Sequence, residues 1–258
     1  AYGDIMQICS QKLKKFESDG FLILPGLVKP LLCDVMSSIA RAHLKERVGP
    51  FELETAVGYP GAAKREKDKG GMAIRRLLNA LDRDPIFFDW AFSSELKKII
   101  NSLLRSKSCS LSPVHHNCIM TKLPYFSSRT DWHQDFRYWS YEQPTLISAW
   151  LSLGEENVSN GGLNIIPGSH IQDYSKERFD SNGFFRLDLD KNKEDIEKKV
   201  QIELSSGDLL IFHCRTLHSA GWNRSQKEKL SLVFTFHETS NQPTPGTRSA
   251  SKDPIKLI

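Results

Sequence analysis

Two side chains that could bind one metal ion stand two positions apart in an aromatic-rich stretch of the sequence. His133 and Asp135 lie within Thr130–Trp139 (TDWHQDFRYW). We predict a β-strand over Asp131–Tyr138, and residues two apart on a strand share one face. An imidazole and a carboxylate placed in this way could bind a metal ion from one side. A second histidine would complete the two-histidine, one-carboxylate ligand set of non-haem Fe(II) oxygenases.

His218 is the strongest candidate for that second histidine. It follows Gly207–Phe212 (GDLLIF), a turn and a buried strand that would deliver it to the mouth of a barrel. It precedes the small-residue turn 219–223 (SAGWN), which permits close approach of a ligand. The other candidate histidines have no comparable sequence context. They are His43, His115, His116, His170, His213 and His237.

The composition is that of a soluble globular protein, with 258 residues, 39% hydrophobic and 26% charged. A net charge of +4 suits an anionic substrate or a membrane surface, but no dense basic stripe argues for nucleic acid. Five widely spaced cysteines indicate reduced thiols, and no stretch approaches 18 apolar residues. We therefore expect a cytoplasmic protein without a transmembrane segment, with peripheral membrane contact as an option. These features predict no particular oligomeric state.

The hydrophobic period changes from helical to strand-like near residue 109, which predicts one domain over 1–258 in two parts. Residues 1–108 form a helical N-terminal part in which 49–71, rich in glycine and charge, is either a mobile lid or a disordered loop. Residues 109–258 form a β core of short strands separated by turns, typical of a sandwich or barrel. The predicted strands are Val114–Lys122, Asp131–Tyr138, Leu146–Leu153, Gly162–Ile166, Val200–Leu204, Asp208–Phe212 and Leu230–His237.

Four segments together resemble the phytanoyl-CoA dioxygenase family of Fe(II)/2-oxoglutarate-dependent oxygenases. They are Phe16–Gly26 (FESDGFLILPG), Trp132–Asp135 (WHQD), Gly161–His170 (GGLNIIPGSH) and the run from Gly207 to His218. The resemblance implies a mainly β fold with N-terminal helices, a double-stranded β-helix (a cupin-like jelly roll). It also implies Fe(II) held by His133, Asp135 and His218, with 2-oxoglutarate and O2 as cosubstrates. Halogenating relatives lack the carboxylate, so Asp135 favours hydroxylation.

The resemblance further implies a buried cation for the far carboxylate of 2-oxoglutarate. The family usually has an arginine eleven positions after the second histidine, and this sequence has Lys229 there. A lysine offers one charge-assisted hydrogen bond instead of a bidentate fork. Arg224 is the alternative, and a solvated Lys229 is the third interpretation. Trp150 matches the family's tryptophan beside the cosubstrate, although core packing would explain it equally well.

Substrate contacts are predicted from their position near the metal ligands. Arg137 would share a strand face with His133 and Asp135, and Trp139, Arg215 and Trp222 could line the mouth. These residues suit an anionic small molecule or lipid-linked headgroup, for which the lipopolysaccharide sugar acid Kdo is one candidate. A fatty acyl-CoA is the alternative substrate. Alternatives of another class are a cupin-like non-oxidative metal enzyme and an inactive binding module.

Overall fold

The computed structural model describes residues 8–258, in which most helices precede the main run of strands. Gly20 follows the last residue of α1 and caps the helix, and its φ of 79° is the left-handed conformation that glycine adopts readily. α4 begins at Pro85, because the Asp84 carboxylate accepts a hydrogen bond from the Ile86 N–H at 3.0 Å. The helical spacing of the apolar residues predicts a first helix over Ile5–Ser18, and its start at Ile5 lies outside the described residues. The helices are α1 (Ser10–Asp19), α2 (Pro30–Glu46), α3 (Glu54–Val57), α4 (Pro85–Ala91), α5 (Ser94–Leu103) and α6 (Asp190–Glu197).

The strands begin within the helical part and then dominate the rest of the chain. Turns containing glycine, proline, asparagine or serine separate many of them, as the sequence predicts. The strands are β1 (Phe21–Leu24), β2 (Phe51–Leu53), β3 (Ile74–Leu78), β4 (Cys109–Ser112), β5 (Cys118–Lys122), β6 (Thr130–His133), β7 (Leu146–Ser152), β8 (Leu163–Ile165), β9 (Val200–Gln201), β10 (Leu209–His213), β11 (His218–Ala220), β12 (Lys229–Glu238) and β13 (Ile255–Lys256).

These strands form two antiparallel sheets. The larger sheet has the order β1-β10-β7-β12-β5-β3-β2, and β4 pairs with both β12 and β13. The smaller sheet has the order β6-β11-β8-β9. Between β5 and β12 the chain passes back and forth between the sheets, which is the connectivity of a jelly roll. The predicted mainly β fold with N-terminal helices is confirmed.

Both faces of the larger sheet are buried, which explains the continuous apolar runs in its central strands. On β10, Leu209 and Ile211 pack into a core shared with the N-terminal helices. The alternate residues, Leu210 and Phe212, pack with side chains of the smaller sheet and with Trp150. Because residues two apart share a face, a strand covered on both sides has no polar positions to alternate with. The helices therefore close one side of the sheet, and the other side faces the candidate site.

The region 49–71 is partly regular. β2 pairs with β3 at the end of the larger sheet, and α3 follows it directly. In the loop after α3, the Pro60 carbonyl accepts hydrogen bonds from Trp222 Nε1 at 3.1 Å and from the Arg129 N–H at 2.8 Å. The loop is thus attached to the β core at defined points, and its movement as a lid stays a prediction. Among residues 8–258, no helix is long and apolar enough to cross a membrane.

Candidate active site

The three predicted metal ligands come together between β6 and β11. His133 ends β6, His218 begins β11, and the two are direct partners in the antiparallel pairing. Asp135 Oδ1 lies 3.6 Å from His133 Nε2 and 3.7 Å from His218 Nε2. Their ligand atoms all lie within 4.8 Å of one another. The grouping predicted for His133, Asp135 and His218 is therefore confirmed.

The strand carrying the pair is shorter than predicted. β6 ends at His133, and residues Asp135–Tyr138 form a 3₁₀-helix. Two contacts from the β10–β11 loop hold this turn: Gln134 Nε2 donates to the Arg215 carbonyl at 2.5 Å, and the Phe136 N–H donates to the Cys214 carbonyl at 3.0 Å. Asp135 thus reaches the two histidines because the chain turns after β6, and the prediction of one strand face was wrong.

Each ligand histidine is oriented by the backbone carbonyl of the residue two positions before it. His133 Nδ1 lies 2.8 Å from the Asp131 carbonyl oxygen, and His218 Nδ1 lies 3.0 Å from that of Thr216. A carbonyl oxygen can only accept, so each Nδ1 carries a hydrogen, and Nε2 is the ring nitrogen that each histidine can offer to a metal. Burial lowers the pKa of His218 to about 4, which keeps its imidazole neutral as a ligand must be.

Asp135 supplies the negative charge of the site. Its carboxyl is buried, and in the described residues Oδ2 has no hydrogen-bond partner. Burial acts to raise the pKa of this carboxyl, but the surrounding imidazoles, His116 foremost, hold that pKa well below its ordinary value. An ionised carboxylate with an unpaired oxygen, placed between two imidazoles, fits Fe(II), which accepts nitrogen and oxygen ligands on one face.

His116 is a neighbour of this set that the sequence did not single out. Its Nδ1 lies 2.9 Å from Ser148 Oγ and 3.9 Å from Asp135 Oδ2. Burial lowers the pKa of His116 to about 4, so the ring is neutral near pH 7. The sequence places His116 in the predicted strand Val114–Lys122, but the observed β5 begins only at Cys118, and His116 lies in the loop between β4 and β5.

A cavity of about 440 Å³ opens beside the three ligands. Trp139, Trp150 and Lys229, which the sequence predicted as substrate or cosubstrate contacts, are among its lining residues. Six cationic and three acidic side chains line it. The charged lining residues are Glu52, Glu54, Arg75, Arg76, Lys122, Asp135, Lys229, Arg248 and Lys252.

Arg137 does not belong to that lining. Its guanidinium carbon lies 3.1 Å from the centre of the Phe179 ring, and its Nε donates to Gln134 Oε1 at 3.3 Å. The 3₁₀-helix after β6 rotates this side chain away from the face that a continued strand would have given it. The structure thus contradicts the strand geometry on which its predicted substrate contact rested.

Three other predicted contacts also lie outside the lining. Arg215 donates from Nη2 to the Gln172 carbonyl at 2.8 Å, and Trp222 donates from Nε1 to Pro60. Arg224 is exposed, with its guanidinium carbon 5.4 Å from the centre of the Trp222 ring. Its predicted role as the alternative cosubstrate cation therefore has no support in the geometry.

Lys229 is buried and already has a partner. Its Nζ lies 2.9 Å from Glu156 Oε2 and 3.0 Å from Ser231 Oγ. The Glu156 carboxylate also accepts from Trp150 Nε1 at 3.0 Å and from Ser231 Oγ at 2.7 Å. Sequence reasoning missed Glu156, because nothing in its local pattern marks a partner 73 positions away.

Two arginines and a glutamate form a second charged group in the lining that the sequence did not reveal. Arg76 makes two hydrogen bonds to the Glu52 carboxylate, at 2.9 and 2.6 Å, and Arg75 makes one at 2.9 Å. Glu52 lies on β2, inside the region predicted as a lid or loop. Charged residues in the strand Ile74–Leu78 (IRRLL) were the available signal.

Comparisons with known proteins agree with this geometry. Residues 16–231 match the sequence profile of the family described as phytanoyl-CoA dioxygenase (PhyH). The chain is 25% identical over 195 residues to phytanoyl-CoA dioxygenase 1 of Oryza sativa subsp. japonica, covering 75% of this chain and 67% of that protein. It is 22% identical over 257 residues to the ectoine dioxygenase of Bordetella bronchiseptica, covering 92% of this chain and 78% of that protein.

Solved structures share the fold over nearly the whole chain. EctD from S. alaskensis, solved with 2-oxoglutarate and 5-hydroxyectoine, superposes with a TM-score of 0.73 at 17% identity, covering 95% of this chain and 81% of that one. The carbocyclase SnoK from nogalamycin biosynthesis gives a TM-score of 0.72 at 16% identity, covering 96% and 92%. These likenesses establish the jelly-roll fold independently of the strand pattern.

Proposed function

This chain belongs to the phytanoyl-CoA dioxygenase family of Fe(II)/2-oxoglutarate-dependent oxygenases, and we propose that it hydroxylates an aliphatic C–H bond of an anionic small molecule or headgroup. The observation that carries the proposal is a set of two histidines and one carboxylate, of which Asp135 and His218 are buried and His133 is partly exposed, beside a cavity with more cationic than anionic side chains. Asp135 supports hydroxylation over halogenation, because its carboxylate occupies the position that a halide would need.

The side chains of the site have separate tasks. His133 and His218 present their Nε2 atoms, and Asp135 contributes one negative charge, so Fe(II) would be held on one face with its other positions open. When bound, the metal and cosubstrate supply the oxidising chemistry, in which O2 oxidises the substrate while 2-oxoglutarate is decarboxylated to succinate. The burial of Asp135 and His218 limits water access to the site and fixes the positions of these two ligands. Lys229 and Trp150 belong to the part of the cavity that would receive the cosubstrate.

The lining supports a polar substrate over a fatty acyl chain. The larger aliphatic side chains of the lining, Leu78, Val114, Met120 and Leu163, are fewer than its nine charged side chains. An acyl chain would need a continuous apolar channel, because burying charged side chains against it without partners is unfavourable. Arg248 and Lys252, both exposed, could attract an anionic group at the cavity edge. A sugar acid such as Kdo, free or lipid-linked, meets these requirements.

Substrate-dependent succinate release tests the proposal. Purified protein with Fe(II), 2-oxoglutarate and O2 would be incubated with Kdo, other acidic sugars and fatty acyl-CoA, with His133→Ala as the inactive control. We expect acidic sugars to raise succinate release and to gain one oxygen atom by mass spectrometry. Stimulation by acyl-CoA alone would overturn the substrate class. Binding of zinc or manganese with no 2-oxoglutarate binding would instead indicate a non-oxidative cupin-like enzyme.

A further inference from the structure

Two lysines face each other on neighbouring strands where the cavity meets the larger sheet. Lys122 ends β5 and Lys229 begins β12, and they are direct partners in the antiparallel ladder. Both line the cavity. Residues paired in this way have side chains on the same face a few ångströms apart, and like charges there repel. An anion is therefore needed to hold them together.

Glu156 neutralises one of the two lysines. Its carboxylate lies 2.9 Å from Lys229 Nζ, and each side chain of this ion pair is 2% exposed. Trp150 Nε1 and Ser231 Oγ complete the hydrogen bonds of that carboxylate. In a buried ion pair whose remaining hydrogen bonds are satisfied, each charge is compensated by its partner. Lys229 consequently has little charge left to offer a second carboxylate.

Lys122 has no such partner. Its Nζ donates to two neutral acceptors, the carbonyls of Ser128 and Gly221, each at 2.6 Å. Across residues 8–258, no carboxylate oxygen lies within ion-pair distance of this nitrogen. An ammonium group has three N–H donors, so one remains for a ligand. The group of Lys122, Lys229 and Glu156 has two amino groups and one carboxyl group, so the carboxylate of a ligand would balance a protonated Lys122.

We propose that Lys122 supplies the uncompensated positive charge that binds the distal carboxylate of 2-oxoglutarate, while Glu156 holds Lys229 as a charge-balanced wall of the same pocket. The inference rests on the proposed function, because it assumes that the cavity receives 2-oxoglutarate. The distal carboxylate would thus be bound by Lys122 on β5, which precedes His133 in the chain, and not by Lys229, which stands eleven positions after His218.

A lysine in this position makes cosubstrate binding sensitive to pH. Burial first, and then the charge of Lys229, lower the pKa of Lys122 to about 7; Arg75 acts in the same direction and Glu54 against it. The protonated form binds a carboxylate, so affinity is expected to fall as pH rises above about 7. An arginine at the same position stays charged throughout and removes this dependence.

Anaerobic calorimetry on the Fe(II)-loaded full chain tests the proposal with two ligands. They are 2-oxoglutarate and 2-oxopentanoate, which has the same carbon chain without the distal carboxylate. We expect the protein to prefer 2-oxoglutarate by about 10- to 100-fold, the range for a charge-assisted hydrogen bond. In Lys122→Met this preference falls to near unity. In the matched control Lys229→Met/Glu156→Gln, which removes the internal pair, the preference is retained.

The opposite pattern would overturn the inference. Retained preference in Lys122→Met, or lost preference in the double variant, would assign the carboxylate to Lys229. Failure of the unaltered protein to bind either 2-oxo acid with Fe(II) would instead contradict the proposed function itself. Lys122→Arg provides a second test if Lys122→Met fails to fold, as judged by thermal melting. It should bind 2-oxoglutarate with a flat pH profile, and a profile identical to that of the unaltered protein would refute the role of Lys122.

Discussion

Replacement of Glu156 by alanine tests the buried charge network directly. The change leaves the Lys229 side chain, which is 2% exposed, without its carboxylate partner. It also removes the acceptor of Trp150 Nε1 and Ser231 Oγ. Breaking one side of a buried ion pair costs about 3–5 kcal/mol. For a chain of this size that corresponds to a fall in Tm of about 6–20 °C. The measurement is thermal and urea unfolding at pH 7, followed by circular dichroism and tryptophan fluorescence.

A double-mutant cycle separates this ion pair from general damage to the fold. Adding Lys229→Met to Glu156→Ala removes the uncompensated charge, so the double variant should be more stable than Glu156→Ala alone. The expected coupling energy lies in the range of about 0.5–3 kcal/mol for residues in one network. If the two single effects simply add, or if Glu156→Ala unfolds like the unaltered protein, Glu156 and Lys229 do not stabilise each other. The inference that Glu156 neutralises Lys229 and leaves Lys122 as the unpaired cation would then be contradicted.

Three further substitutions have expected outcomes of different kinds. Gly161→Ala places a Cβ on a residue with a φ of 83°, 2.6 Å from Lys122 Cδ. We expect it to lower the free energy of unfolding in urea by about 1–3 kcal/mol and to weaken 2-oxoglutarate binding. Unchanged unfolding and affinity would contradict this contact. Asp84→Ala should lower the free energy of unfolding by about 0.5–2 kcal/mol through loss of a helix cap, without changing turnover. Arg137→Ala should lower the free energy of unfolding by about 0.5–2 kcal/mol, because the contact with the Phe179 ring is lost, and should leave the substrate KM unchanged. A raised KM would instead indicate that Arg137 contacts the substrate.

The metal ligands could be predicted because their signals are local. His133 and Asp135 are close in sequence, and His218 follows a buried strand that must end at a definite place in the jelly roll. Strands such as β10 were recognisable for a related reason, since both of their faces are covered and their sequences are apolar throughout. Short-range spacing and burial thus determine much of the fold and the centre of its site.

The remainder of the site depends on contacts that spacing does not encode. Arg137 was placed on a ligand face by extending the strand period beyond His133, where the chain in fact turns into a 3₁₀-helix. Lys229 was recognised as a cation, but its pairing with Glu156 joins residues far apart in the chain. Lys122 becomes significant through its strand partner and because, in the described structure, no carboxylate oxygen lies within ion-pair distance of its Nζ. Such relations arise only when the sheets assemble.

The central claim is that His133, Asp135 and His218 hold Fe(II) with 2-oxoglutarate bound beside it. Anaerobic titration of the protein with Fe(II) and 2-oxoglutarate tests it most directly, because the ternary complex has a visible charge-transfer absorption that neither component gives alone. We predict this absorption at one Fe(II) per chain and its loss in His133→Ala, with the variant still folded. No absorption in the unaltered, folded protein, or unchanged absorption and metal affinity in His133→Ala, would contradict the assignment of this site.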